Sequence, residues 1–194
     1  MPNIGRRTAL RLVAGASLAA VGGLVVTAQP AQALQHLWGT CTRCRILWFT
    51  GNGTRGGCPA GDILDGGHHF LGIDWMLKTV DDGGAGQSGW QWCGYCQALW
   101  FMGNSTWGAC PSHPNGHWPA GPSGGASTVY ILEDITNRDR PGGASGFRFC
   151  IKCNGLWDAV NNSLYTNNVC PLDRRPHTLW GSGNYVLRRF GSTR

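Results

Sequence analysis

Nine cysteines fall into three groups, Cys41-Cys44-Cys58, Cys93-Cys96-Cys110 and Cys150-Cys153-Cys170, and a histidine follows each group. In each, a Cys-x-x-Cys pair is followed by a spacer of 13, 13 or 16 residues, a third cysteine, and then a histidine ten, seven or seven positions on. Three sulfurs and one nitrogen are a tetrahedral donor set of closed structural zinc sites. An odd number of cysteines per group cannot close into disulfides within that group, so oxidation would need bridges between groups and leave one of the nine unpaired. Disulfides are nevertheless the alternative, because exported proteins ordinarily carry them.

The expected metal ligands are Cys41, Cys44, Cys58 and His68; Cys93, Cys96, Cys110 and His117; and Cys150, Cys153, Cys170 and His177. His117 and His177 each stand seven residues after their cysteine, which sets His113 aside. In the first group His68 and His69 are adjacent, and both are candidates, with His68 preferred. The expected cofactor is structural zinc, three ions in all. Four protein donors leave no open coordination position, so such an ion staples loops and activates no water.

The elements that must position these donors repeat with them. Trp38 to Cys44, Leu47-Trp48-Phe49, Gly51-Asn52 and Cys58-Pro59 align with Trp90 to Cys96, Leu99-Trp100-Phe101, Gly103-Asn104 and Cys110-Pro111, and then with Phe147 to Cys153, Leu156-Trp157 and Cys170-Pro171. Each copy ends in an aromatic-x-Leu run, Trp75-Met76-Leu77, Tyr130-Ile131-Leu132 or Tyr185-Val186-Leu187. Alternating aromatic residues before a tight turn, and Leu-Trp after it, predict a β-hairpin, and the aromatic-x-Leu run predicts a closing strand. Helical spacing is not sustained; Leu156 to Val160 has room for one turn.

The reading is an all-β protein of three repeats, 34–80, 88–135 and 145–194, in one β-trefoil-like domain, because one copy cannot bury its apolar face alone. The alternative is an array of three zinc-ribbon-like units joined by the glycine-rich stretches 81–89 and 140–146.

Residues 1–33 read as a cleaved export signal. Arg6 and Arg7 precede an apolar stretch broken by Gly15, Gly22 and Gly23, and Ala31-Gln32-Ala33 is a small-x-small cleavage site. Gly5-Arg6-Arg7-Thr8-Ala9-Leu10 resembles a bacterial twin-arginine signal, which implies export of an already folded chain. The mature protein is expected outside the cell, with no membrane span after cleavage. Of the 16 basic residues three leave with the leader, and 13 minus the ten acids gives +3. Three zinc sites of charge −1 each bring the net to zero, so a nucleic-acid partner is not expected.

Asp62/Asp65, Asp81/Asp82 and Glu133/Asp134 are the carboxylate neighbours available for acid–base work, but none recurs in all three copies or accompanies a nucleophile motif. No catalytic residues are assigned. Asn104-Ser105-Thr106 and Asn161-Asn162-Ser163 match glycosylation acceptors, but they fall at equivalent repeat positions and read as turn formers. Trp48, Trp100 and Trp157 share the hairpin register and read as core, whereas Trp75, Trp107, Trp118 and Trp180 are the candidate ligand-binding platforms.

Trp-x-Trp-Cys-x-x-Cys-x-x-Leu-Trp-Phe, Cys-Pro, His and Gly-Ser-Gly-Asn-Tyr-Val-Leu together resemble a repeat of small exported actinobacterial proteins. The likeness spans nearly all of 34–194 and is fullest in Gly181 to Leu187. It departs in repeat 1, where Thr40 replaces an aromatic residue and the closing strand lacks Gly-Ser. It implies secretion and repetition rather than an activity. The expected function is a non-enzymatic secreted module that binds a cell-wall or extracellular glycan. The alternatives are an adaptor bound to another secreted protein, and an extracellular hydrolase.

Overall fold

A computed structural model describes residues 34–119, 128–139, 142–160 and 168–191. The expected leader, the Gly-rich 120–127 and Asn161 to Ser163 lie outside them. The described residues pack as one compact unit.

Among the described residues nine strands join in one sheet system, three per repeat. Repeat 1 supplies β1 (Gln35–Thr40), β2 (Leu47–Phe49) and β3 (Trp75–Thr79); repeat 2 supplies β4 (Gln87–Trp92), β5 (Leu99–Phe101) and β6 (Val129–Asp134); repeat 3 supplies β7 (Ala144–Phe149), β8 (Leu156–Asp158) and β9 (Tyr185–Arg189). The one helical element among the described residues is a 3-10 turn at Val80–Asp82. The turn allowed at Leu156 to Val160 is instead β8, held in register by Phe149↔Leu156 and Arg148↔Trp157. Two adjacent, fully buried side chains suit a short covered strand better than one turn of helix.

Each repeat is built the same way. The hairpin pairs Trp38↔Phe49, Trp90↔Phe101 and Phe147↔Asp158, and the closing strand lies on its other side at Trp38↔Trp75, Trp90↔Tyr130 and Phe147↔Tyr185. The register shifts by a bulge just before each of these pairs. Gly89 and Gly146 occupy two of the bulges at φ 100° and 102°, where a side chain would be strained, while Leu37 takes φ 70° in the first.

The closing strands bind the repeats into a ring. Each splits its length between two neighbours: β3 pairs with β9 through Trp75 and Met76 and with β6 through Lys78 and Thr79, and β6 meets β9 at Glu133↔Val186. Isolated bridges Trp48↔Ala98, Trp100↔Gly155 and Ile46↔Trp157 link the three hairpins in the same cyclic order. The repeats are thus not a linear array; they share a sheet and a core.

That core has two layers. In the first, Trp38 meets Tyr130 edge-to-face at 5.1 Å, Trp90 meets Tyr185 at 5.1 Å and Phe147 meets Trp75 at 5.0 Å, each contact joining two different repeats. Such pairs add about 0.5–1.5 kcal/mol each beyond their area burial. The second layer is made of the cysteines with Trp48, Trp100 and Trp157.

Candidate metal centres

The twelve expected donors gather into three clusters, Cys41-Cys44-Cys58-His68, Cys93-Cys96-Cys110-His117 and Cys150-Cys153-Cys170-His177, with the ligand atoms of each within 4.8 Å of one another. Local backbone explains the first two donors. After each Cys-x-x-Cys comes a residue with positive φ, Arg45 at 66°, Gln97 at 64° and Asn154 at 60°. This kink lets the amide of that residue bond back to the first cysteine's carbonyl, at 3.0, 2.8 and 2.7 Å, so both sulfurs project from one tight turn. The Cys-Pro loop and the histidine close the other side.

The distances fit zinc. A tetrahedron with Zn–S bonds of about 2.3 Å and a Zn–N bond of about 2.05 Å has S···S edges of about 3.8 Å and S···N edges of about 3.6 Å. Cys41 Sγ lies 3.8 Å from Cys58 Sγ, and Cys93 Sγ 3.9 Å from Cys110 Sγ. Nδ1 of His68, His117 and His177 lies 3.5, 3.4 and 3.5 Å from the sulfurs of Cys44, Cys96 and Cys153. All nine cysteines are free, so no disulfide competes for these sulfurs. The clusters are structural metal sites of zinc type, three per chain. Zinc bound there supplies coordinate cross-links and nothing else, because four protein donors complete its shell.

As bare thiols the sulfurs divide their protons unequally. Cys41 is held far below the usual thiol range by hydrogen bonds from Cys44 and Cys58, Cys93 by those from Cys110 and Cys96, and Cys150 by those from Cys153 and Cys170. Burial pushes Cys44, Cys96 and Cys153 well up. The hydrogen bond to the neighbouring thiolate raises Cys58 and Cys110 to about 12 and Cys170 to about 11. One thiolate thus stands ready in every cluster.

A shell of further contacts orients each histidine. The imidazole stacks on the hairpin tryptophan, His68 on Trp48 at 5.3 Å, His117 on Trp100 at 5.4 Å and His177 on Trp157 at 5.4 Å. The far nitrogen reaches the next repeat: His68 Nε2 lies 3.2 Å from the Cys96 carbonyl oxygen and His117 Nε2 3.0 Å from that of Cys153. A ligating histidine that donates its second N–H in this way is fixed in tautomer and orientation. The approach is close enough that a Cβ on Gly56 or Gly108 would come within 2.2 or 2.3 Å of these same carbonyl oxygens.

Of the other histidines, His69 pairs with Asp65 at 2.5 Å and His113 stacks on Tyr95, so neither joins a cluster. Among the four candidate platforms, Trp75 is corrected: it is buried in the first core layer with Nε1 donating to Thr40, because it holds the closing-strand register that Tyr130 and Tyr185 hold in the other repeats. Trp107, Trp118 and Trp180 are 44%, 45% and 73% exposed.

Of the carboxylates considered for acid–base work, Asp62, Asp65, Asp82, Glu133 and Asp134 have structural partners. Asp62 Oδ1 accepts from the amides of Leu64 and Asp65, and Asp65 is shared by Arg43, Arg55 and His69. Glu133 is buried between Lys78 at 3.2 Å and Arg188 at 2.9 Å. Lys78, Glu133 and Arg188 each follow the buried leucine of a closing strand, so the same position of every repeat contributes one charge to this network. Sequence reading missed it; the signal was a charged residue recurring directly after Leu77, Leu132 and Leu187.

Family models, curated proteins and solved structures return no match to this chain. No helix among the described residues is long and apolar enough to cross a membrane.

Proposed function

We propose that the chain is an exported, non-catalytic binding module that recognises a repetitive cell-wall or extracellular glycan. The observation that carries this reading is the exposure of Trp107, Trp118 and Trp180, large apolar rings left in solvent on loops clamped by Cys3His clusters. An exposed indole face is suited to the C–H face of a sugar ring. The closed metal sites and the engagement of Asp65 and Glu133 in ion pairs speak for binding rather than hydrolysis. Export rests on Arg6-Arg7 and Ala31-Gln32-Ala33. The test is retention of the zinc-loaded protein on insoluble cell wall and on polysaccharide: retention that soluble glycan reverses is expected, and its absence on every matrix overturns the reading.

A second reading, an adaptor in a secreted assembly, is favoured by one feature. The loop between Cys58 and His68 is three residues longer than its counterparts, and it carries Ile63 and Leu64, 100% and 93% exposed. An exposed apolar tip of this kind suits a pocket on another protein. Under this reading a partner that co-purifies from culture supernatant is lost from the Ile63→Ser/Leu64→Ser protein.

A further inference from the structure

Surface side chains clasp the metal loops in each repeat, and the chemistry of the clasps differs between repeats. One clasp joins the residue before the second cysteine to the loop after Cys-Pro. It is Arg43 with Asp65, Nη1 to the carbonyl oxygen at 2.8 Å, in repeat 1, and Lys152 with Asp173 at 2.9 Å in repeat 3. In repeat 2 it is Tyr95 stacked on His113, with ring centroids 4.5 Å apart and planes 18° apart. The other clasp joins the residue three before the third cysteine to the residue after the ligand histidine. It is Arg55 against His69 at 3.3 Å in repeat 1 and Trp107 stacked on Trp118 at 5.1 Å and 19° in repeat 2. Repeat 2 has exchanged both polar clasps for aromatic ones.

The surrounding sequence changes with them. No Asp, Glu, Lys or Arg occurs from Gly83 to Leu132, although 13 bases and ten acids lie elsewhere in 34–194. The two stacks are also tied together, since the Gly94 amide, next to Tyr95, donates to the Trp118 carbonyl oxygen at 3.0 Å. Behind the surface pair the rings continue inward, Trp107 to Trp100 at 5.9 Å and Trp100 to the ligand His117 at 5.4 Å.

We propose that repeat 2 holds one sugar site, with Trp118, backed by Trp107, as its platform and Tyr95 and His113 at its edge, and that its ligand is an uncharged pyranose glycan. The proposal deepens the glycan reading and rests on it. A pyranose offers an apolar C–H face to an indole and a rim of hydroxyls to neutral donors and acceptors, which describes this surface. A uronate or phosphate would be desolvated against a segment that offers no counter-charge. The ring stack is anchored at a metal ligand, so the platform is rigid before the ligand arrives, which reduces the ordering cost of binding. Because the positions equivalent to this platform bear Arg55 and His69 in repeat 1 and Thr178 in repeat 3, and the edge positions bear the ion pairs Arg43–Asp65 and Lys152–Asp173, the site is single rather than threefold.

Calorimetric titration of the zinc-loaded protein with cellohexaose and chitohexaose, and with polygalacturonate as the anionic probe, tests this. One neutral oligosaccharide per chain is expected, with an affinity that changes less than about twofold between about 50 and about 500 mM salt. Trp118→Ala should weaken it about tenfold or more and Trp118→Phe far less, as stacking requires. His69→Ala and Thr178→Ala, at the equivalent positions, should leave it unchanged. Three ions retained in each variant show that the clusters have folded. Three oligosaccharides per chain, or equal losses from all three alanine variants, would overturn the single site and leave the glycan reading standing. Salt-sensitive binding of polygalacturonate alone would overturn the neutral ligand, and no binding of any probe would overturn the site, with loss of retention on every glycan matrix removing the broader reading as well.

Discussion

Arg45 reaches from the first repeat to Asp158 in the third, with Nη2 2.5 Å from Oδ2 and both side chains buried. The same junction elsewhere is made by neutral groups: Asn154 of repeat 3 donates to the Thr106 carbonyl oxygen at 2.9 Å, and Gln97 of repeat 2 bonds Thr54. Asp158 stands where repeats 1 and 2 carry Phe49 and Phe101, and Arg45 where repeats 2 and 3 carry Gln97 and Asn154. The two departures compensate each other. Asp158→Phe alone takes the carboxylate away from a buried guanidinium, a loss of up to about 3–5 kcal/mol. The double change Arg45→Gln/Asp158→Phe restores the pattern of the other junctions and should recover most of it. Urea unfolding of the zinc-loaded proteins measures both, and a double variant no more stable than the single would remove the compensation.

Lys78, Glu133 and Arg188 make a second inter-repeat network where the closing strands converge. Glu133→Gln removes the buried carboxylate between two cations, of which Lys78 keeps Asp139 at 3.1 Å, and should cost up to about 3–5 kcal/mol. Replacing all three with leucine should be neutral or stabilising, since the ions lose hydration that their mutual attraction only partly returns. Thermal unfolding of the two variants separates these outcomes, and an equal loss in both would show the network to be net stabilising.

The donor set and the hairpins were legible because both are local: cysteine spacing and alternating aromatics are read within a few residues of each other. The aligned repeats even held the correct place of Trp75, opposite Tyr130 and Tyr185, although its position beside a loop suggested exposure. What the chain alone did not disclose is how the copies close on one another. A strand that alternates buried and exposed residues would send Lys78, Glu133 and Arg188 to solvent after Leu77, Leu132 and Leu187. They converge instead because β3, β6 and β9 each pair with both of the other closing strands, which brings the three charges together where those strands meet. The choice of His68 over His69 was also geometric, decided by Asp65 drawing His69 away.

Zinc binding should release two thiol protons per ion. One sulfur in each cluster already favours the thiolate, whereas the other two are raised, Cys58 to about 12 by its hydrogen bond to Cys41 and Cys44 by burial. Because the ion requires all three as thiolates, affinity rises with pH and falls in acid, with log K changing by about two per pH unit near neutrality. An indicator-dye titration of the metal-free, reduced protein measures the protons directly. Release of about three per ion would mean that no thiolate is stabilised in advance.

The third site should lose its ion first. His68 and His117 pass their second N–H to the carbonyls of Cys96 and Cys153, but His177 Nε2 is buried without a hydrogen-bond partner among the described residues. The difference begins in sequence. Gly56 and Gly108 stand two residues before the third cysteine and admit those carbonyls, whereas repeat 3 has Asn168 there, and its Oδ1 accepts from the His177 amide at 3.2 Å. Repeats 1 and 2 satisfy the same amide with backbone oxygens, Arg55 at 2.8 Å and Trp107 at 2.7 Å. Losing an outer partner of a ligating histidine typically weakens metal binding about 10–100-fold. Native mass spectrometry during limited chelation should therefore show a chain with two ions accumulating, and alkylation at that stage should mark Cys150, Cys153 and Cys170. Even labelling of all nine sulfurs would mean that the three clusters let go together, and that the His177 environment does not set the order.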